Sequence, residues 1–348
     1  MPPIKKHIID IVIFFRSYSS NGMRKPRCER RVTRKMNMID LVCLCDEYDL
    51  KGMFGSAFEK DFPWINLVNP AEISDPSAIR HAFAFSPGPE AFSPFPNLRL
   101  VSSAGAGVDA LLNHPDLAPD VVISRVKLEE QAEMIAGFAI WHIIGWQRRL
   151  LDYPALQRRK EWSPINRTSP STFPVGILGI GHIGGTLARR LNDLNFPVLG
   201  YGSTSRNFDG IEVVSGKSGL EQLASTSRAI VNLLPLTEAT TGILSADLFA
   251  KMREDAILIN LGRGAHLVEP DLVAALDIGR PAATALDTFA SEPLPKDHPF
   301  WSHEKIMITP HVAGDANEAQ VAVFVANGIV AFEKGERPEG FVVRSRGY

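Results

Sequence analysis

The chain has 348 residues, 45% of them hydrophobic and 22% charged, with a formal net charge of −2. That length exceeds what one hydrophobic core organises and the apolar content can fill two, so two domains are expected and a disordered or fibrous chain is excluded. The near-balanced charge argues against a surface built for nucleic acid or anionic lipid.

In chain order, residues 1–37 come first, with ten Lys or Arg against Asp10 and Glu29, a net of +8 that leaves −10 for the remainder. Such a stretch reads as an Arg-rich import sequence, a disordered extension, or an upstream tail ahead of a start at Met36 or Met38. The tail reading is favoured, because the apolar run at 8–15 contains an Asp and is too short to span a bilayer. No later segment offers the ~20 uninterrupted apolar residues of a spanning helix, so a soluble, cytoplasmic protein without membrane partners is expected. Cys43 and Cys45 alternate along an apolar run as small hydrophobes, which fits a reducing cytosol, and no His, Cys or acid cluster has metal-ligand spacing.

From Asp40 onward short apolar runs alternate with helical stretches, the signature of a parallel α/β sheet. Strands are predicted at 41–45, 65–68, 82–85, 98–102 and 121–126, with helices at 48–60 and 75–81, the latter opened by Asp75 and Pro76. A long helix at 129–150 and a polar connection at 161–174 precede a second series. Its strands are predicted at 175–178, 198–201, 229–234, 256–261, 283–286 and 306–309, and its helices at 183–194, 219–224, 246–251, 270–277 and 316–334.

Directly after the strand at 175–178 stands Gly179-Ile180-Gly181-His182-Ile183-Gly184, running on into a helix. Gly179 permits a tight turn, Gly181 lets backbone approach a pyrophosphate, and Gly184 lets helix and strand pack closely, while the helix N-terminus offers unpaired N–H donors. His182 and Ile183, inside this turn, are counted with it as cofactor contacts. As a catalytic group His182 is a weak candidate, like His114 and His142, and all three read as structural or surface histidines.

An NAD-preferring site ends its next strand with an acid that binds the adenine ribose hydroxyls. Here the strand continues Tyr201-Gly202-Ser203-Thr204-Ser205-Arg206, with no acid before Asp209. A 2′-phosphate is repelled by a carboxylate and favoured by hydroxyls and a guanidinium, so Ser203, Thr204 and Arg206 point to NADP, against a plain solvated loop.

Three polar residues follow apolar strands at the ends where ligands of open α/β sheets collect: Arg263, Glu292 and His311. Singly each has a dull explanation as a surface arginine, a turn acid or a helix-capping histidine. Together with the glycine turn they resemble the D-2-hydroxyacid dehydrogenase family, whose catalytic set has the order Arg, Glu-Pro, Pro-His. The resemblance runs from about Leu41 to the C-terminus, and within the family the chain is most similar to the glyoxylate/hydroxypyruvate reductase A type.

The resemblance implies an enzyme: NADPH-dependent reduction of a small 2-keto acid, glyoxylate or hydroxypyruvate, to the D-2-hydroxy acid. Hydride arriving at the carbonyl carbon leaves negative charge on its oxygen, which calls for a proton donor and a fixed cation. His311 would be the donor, Arg263 the cation, and Glu292 the carboxylate that orients the imidazole and raises its pKa. By resemblance, Ala106 and Gly107 would bind the substrate carboxylate with Arg263. Gly262 and Asp287 would lie at the nicotinamide, and Leu234 and Pro235 would wall the adenosine pocket; Trp162 reads as an ordinary packing tryptophan, with an arm toward a partner subunit as the less favoured alternative.

The expected architecture is two Rossmann-like, doubly wound parallel-sheet domains with a cleft between them. A discontinuous substrate-binding domain would span 38–136 and 313–348, and a dinucleotide-binding domain 137–312. The helices at 129–150 and 316–334 would form the hinge, and the family suggests a homodimer. Two readings stay open beside this one: the same chemistry on a bulkier 2-keto acid, and a nicotinamide-sensing binding protein on the same fold.

Overall fold

The computed structural model describes residues 38–165 and 168–347 in full, and the backbone at 9–10 and 35–36, where β1 (Ile9–Asp10) and β2 (Lys35–Met36) pair antiparallel. The rest of the basic stretch 1–37, with the expectations placed on it, lies outside the described residues. The chain divides into two compact units. One comprises Met1–Ala106, Asn113–Val126 and Glu318–Phe341, and the other Gly107–Leu112, Lys127–Asn317 and Val342–Tyr348.

In the first unit a parallel sheet runs in the order β4-β3-β5-β6-β7, from β3 (Ile39–Leu44), β4 (Ile65–Val68), β5 (His81–Ala84), β6 (Leu100–Ser103) and β7 (Val122–Ser124). Strands covered on both faces are mostly apolar, and every residue of β5 and β6 is buried, with His81, Ser102 and Ser103 as their polar members. Helix α1 (Leu50–Asp61) packs against α9 (Glu318–Glu333). Phe54 and Phe58 of α1 meet Phe83 edge-on, with centroids 5.1 and 6.0 Å apart. The helix predicted at 75–81 is a single turn, Pro76–Ala78. The Asp75 carboxylate accepts from both the N–H and the hydroxyl of Ser77, closing a local turn, and the chain enters β5 at His81.

The sheet of the second unit contains, among the described residues, eight strands in the order β10-β11-β9-β8-β12-β13-β14-β15. They are β8 (Val175–Leu178), β9 (Val198–Tyr201), β10 (Arg206–Phe208), β11 (Ile211–Val214), β12 (Ala229–Asn232), β13 (Ile257–Asn260), β14 (Ala283–Leu286) and β15 (Ile306–Ile308). All pairings are parallel except β10 with β11. Alternation along the strands sorts side chains onto two faces. Val175, Ile177, Val231 and Ile259 share one core with Leu187 and Leu191 of α5 (His182–Asp193). Leu178, Ile230, Leu258 and Leu286 share the other with Leu248 of α7 (Ala246–Phe249) and Leu272 of α8 (Glu269–Asp277). Helix α6 (Gly216–Thr226) adds Leu223 and Ala224 to that second core.

The doubly wound α/β class is as expected, but the boundary differs. Ala136, Ala139 and Ile143 of α3 (Glu129–Gln147) lie in the core shared with α5, so the whole helix goes with the larger sheet and the division falls at 126/127 rather than 136/137. Small α2 (Asp109–Leu112) and α4 (Tyr153–Arg158) were not anticipated, nor was the β10–β11 hairpin. Asp209 and Gly210 connect that hairpin at φ 51° and 86°, the two left-handed positions of a tight hairpin turn. No helix among the described residues is long and apolar enough to cross a membrane.

Candidate active site

Strand order reverses between β8 and β12, the place where open α/β sheets admit ligands at the carboxyl ends of their strands. The glycine turn sits there. Gly179 has φ +102°, and a Cβ on it would lie 2.7 Å from the Leu233 carbonyl oxygen. A Cβ on Gly184 would lie 1.9 Å from the Gly179 oxygen, so helix and strand meet backbone to backbone. At Gly181, which caps α5, a Cβ would find nothing within 4 Å. The first-turn N–H groups of a helix have no intrahelical acceptor, which leaves α5 able to receive an anion. His182 Nε2–H donates to the Leu128 carbonyl at 3.2 Å, so its side chain is turned toward α3 and its contribution to the turn is backbone. Ile183 follows it, half-buried.

Beyond β9, Ser203 and Thr204 are exposed, and Arg206 leads into β10. The hairpin folds Arg206 back so that its Nη2 donates to the Ile180 carbonyl at 2.7 Å, which brings the guanidinium beside the glycine turn. Leu234 is buried, and Pro235 follows it after the end of β12.

Arg263, Glu292 and His311 follow β13, β14 and β15, three adjacent parallel strands, so all three emerge from one sheet edge. His311 Nδ1–H donates to Glu292 Oε2 at 2.8 Å, and Glu292 Oε1 accepts from the Phe289 N–H at 2.8 Å. The hydrogen bond and charge of Glu292 raise the His311 pKa above its ordinary value, against partial burial and the opposing field of Arg263. Burial alone would push Glu292 up; hydrogen bonds from His311 and the Phe289 N–H, with the charges of His311 and Arg263, bring it below the usual carboxylate range. The pair therefore favours an imidazolium beside a carboxylate, with the other ring nitrogen, Nε2, directed away from Glu292.

His311 has φ +55°, a left-handed conformation that a non-glycine residue holds only when its surroundings enforce it. The enforcing group is Asp287, which is 1% exposed and accepts from Thr309 Oγ1 at 2.6 Å and from the N–H groups of Val312 and Ala313 at 2.9 and 3.0 Å. Both oxygens of the residue expected at the nicotinamide are thus occupied with holding the histidine loop.

Arg263 Nε donates to Asp109 Oδ1 at 3.1 Å and Nη1 to the Gly262 carbonyl at 2.9 Å. A Cβ on Gly107 would lie 1.4 Å from Arg263 Nη2, so a side chain there would displace the guanidinium. Ala106 belongs to the first unit, where its carbonyl accepts from Arg125 Nη1 at 3.2 Å.

Sequence reasoning missed the polar layer beneath Arg263. Asn232 and Asn260 end two neighbouring strands in register, are fully buried, and are joined from Nδ2 to Oδ1 at 2.8 Å. His266, also fully buried, accepts at Nδ1 from Asn232 Nδ2 and from the Arg263 N–H, both at 3.0 Å. A Cβ on Gly262 would lie 2.7 Å from Asn232 Nδ2, so this glycine makes room for the layer. A readable signal existed, a lone amide closing each of two apolar strands. Of the weaker candidates, His142 is buried on α3 with its pKa pushed down to about 4 by burial, and Trp162 is fully exposed.

Residues 140–313 match the family described as D-isomer specific 2-hydroxyacid dehydrogenase, NAD binding domain. A D-isomer specific 2-hydroxyacid dehydrogenase from Xanthobacter autotrophicus Py2, solved with NADPH and MES, is 31% identical, with 88% of this chain and 99% of that one covered at a TM-score of 0.83. An NADPH-dependent glyoxylate/hydroxypyruvate reductase from Sinorhizobium meliloti, solved with NADP and sulfate, is likewise 31% identical, covering 89% and 100% at 0.82. A probable 2-hydroxyacid dehydrogenase from Rhizobium etli CFN 42, solved with NADP, HEPES and L(+)-tartaric acid, is 29% identical, covering 89% and 100% at 0.81.

Proposed function

Because the chain belongs to the D-isomer specific 2-hydroxyacid dehydrogenases, enzymes that use NAD(P), we propose that it reduces glyoxylate or hydroxypyruvate with NADPH. The observation that carries this reading is the convergence of His311, Glu292 and Arg263 on one sheet edge, with the field of Arg263 felt at both other residues. Relatives bound to NADPH or NADP support the cofactor choice, and one of them is named for this pair of substrates.

The residues present fit a dinucleotide. Gly181 and the first turn of α5 would receive the pyrophosphate, Leu234 and Pro235 would border the adenosine, and Ser203, Thr204 and Arg206 would take the 2′-phosphate. When bound, the reduced nicotinamide supplies the hydride. Arg263 would hold the substrate carboxylate and carbonyl by a two-pronged contact, with Asp109 fixing the guanidinium from behind. His311, kept protonated by Glu292, would deliver its Nε2 proton to the carbonyl oxygen as negative charge develops there. Gly107 would bind the substrate carboxylate through backbone.

The test is a panel of 2-keto acids offered with NADPH and with NADH, followed at the nicotinamide absorbance. Glyoxylate and hydroxypyruvate should be turned over with NADPH favoured. Turnover confined to bulkier keto acids overturns the substrate assignment, and equal use of NADH overturns the cofactor assignment.

A further inference from the structure

The buried imidazole of His266 touches two parts of the site that are far apart in sequence. Its Nδ1 accepts from the Arg263 N–H and from Asn232 Nδ2, each at 3.0 Å, which requires that nitrogen to be unprotonated. The proton therefore sits on Nε2, which donates to the Pro235 carbonyl at 3.2 Å. Asn260 completes the frame. Its Oδ1 accepts from Asn232 and from the Gly262 N–H, and its Nδ2 donates to the Arg263 carbonyl at 3.3 Å. The Arg263 peptide is thus gripped at both its N–H and its C=O by buried side chains.

We propose that His266 is a positioning residue that locks the Arg263 backbone through Nδ1 and the Pro235 loop through Nε2, so that one ring aligns the substrate cation and the adenosine wall together. This deepens the proposed function and rests on it for the roles of Arg263 and Pro235. An imidazolium would put a proton on Nδ1 and face the Arg263 N–H donor to donor. Burial, the largest influence, holds the ring neutral; of the charged groups that act on it, Arg263 supports that state and Asp109 opposes it.

The two ring nitrogens can be tested separately, because an Asn side chain places its polar atoms near Nδ1 and a Gln side chain places its own near Nε2. His266→Gln keeps a donor for Pro235 and loses the acceptor for Arg263, so kcat should fall about tenfold with NADPH affinity little changed, a loss on the scale of one buried hydrogen bond left unmade. His266→Asn keeps the acceptor and loses the Pro235 link, so NADPH affinity, read by nicotinamide fluorescence, should weaken about tenfold with a smaller loss in kcat. A residue that only fills space gives no such split. Parallel losses in both variants, tracking a fall in Tm, overturn the proposal. Nitrogen NMR of the unsubstituted protein tests it even if neither variant folds: the ring should show a single Nε2–H tautomer that does not titrate between about pH 6 and 8, the range in which an ordinary histidine changes charge. A proton on Nδ1 overturns the proposal. A protein that binds NADPH but reduces no keto acid overturns the proposed function instead, while the tautomer and the NADPH affinity of His266→Asn still decide the role of His266.

Discussion

Between β8 and α5 the edge of the larger sheet is bare backbone, whereas after β13, β14 and β15 the same edge is crowded with side chains. The glycine turn works because side chains are missing: Gly179 and Gly184 each have a carbonyl oxygen where a Cβ would go. The proposed catalytic side depends on a few atoms being present and held, with His311 fixed by Asp287 and Glu292, and Arg263 by Asp109 and the buried amides. A site made of backbone is damaged by added bulk, and a site made of side chains by removed groups. Substitutions should therefore separate cofactor binding from turnover.

The sharpest separation should come from His311→Asn. Asparagine enters the left-handed region readily, so the φ of +55° is retained while the proton donor is lost. Turnover should fall by about 10²–10⁴, the usual worth of a general acid, with NADPH affinity unchanged in a fluorescence titration. Retained turnover would show that His311 is not the proton donor, whereas an unsubstituted protein that binds NADPH and reduces no keto acid would point to a nicotinamide-sensing protein. The reciprocal change is Gly184→Ala. Its new methyl would meet the Gly179 carbonyl oxygen at 1.9 Å, and that oxygen is main chain, so the turn itself must move. Overpacking of this kind costs about 1–3 kcal/mol. A lowered Tm, with reduced stabilisation by added NADPH, checks it, and an unshifted melt would mean the helix and strand have slack.

The same contrast explains what could be read in advance. Backbone sites announce themselves by glycine spacing, and the α/β series announces itself by apolar runs, because parallel strands buried on both faces leave little room for polar residues. The predicted spans match all five strands of the first unit's parallel sheet and six of the second unit's to within two residues or so of their ends. The β10–β11 hairpin also had its signal in Asp209-Gly210, but a three-residue strand has too little periodicity to register, and no strand is predicted between 201 and 229. Arg263, Glu292 and His311 were legible as polar residues at strand ends. Their supports were not. That Asp287 fastens the 309–313 loop and His266 fastens Arg263 depends on which strand lies beside which, and pairings between distant segments leave no local mark.

Arg206 tests the cofactor side by removal rather than addition. Its backbone pairs with Val213 in the hairpin, so Arg206→Ala should leave β10 in place and delete only the guanidinium beside the glycine turn. If that group binds a 2′-phosphate, NADPH should weaken about tenfold, as for the loss of one charge-assisted contact, while NADH is unaffected. Equal weakening of both coenzymes would assign Arg206 to holding the Ile180 carbonyl.

The smallest effect, and the most specific, is expected from Glu292→Gln. Glu292 raises the His311 pKa, so the wild-type imidazole stays protonated further into the neutral range than an ordinary histidine. In the proposed reaction reduction draws on that proton, so keto-acid turnover should fall as pH rises through the raised value. With a neutral amide at 292 the pKa drops, and the alkaline limb of the reduction profile should move to lower pH. Stability follows the same sign. The contribution of His311 is fully present below its unfolded value of about 6.5 and is lost as pH rises through the folded one. That of Glu292 is present above its unfolded value of about 4.3 and is lost as pH falls through its depressed folded value. The gap in Tm between wild type and Glu292→Gln should thus be widest between those two unfolded values and close on either side. An alkaline limb that stays where it was would show that the imidazole is protonated without help from its neighbour.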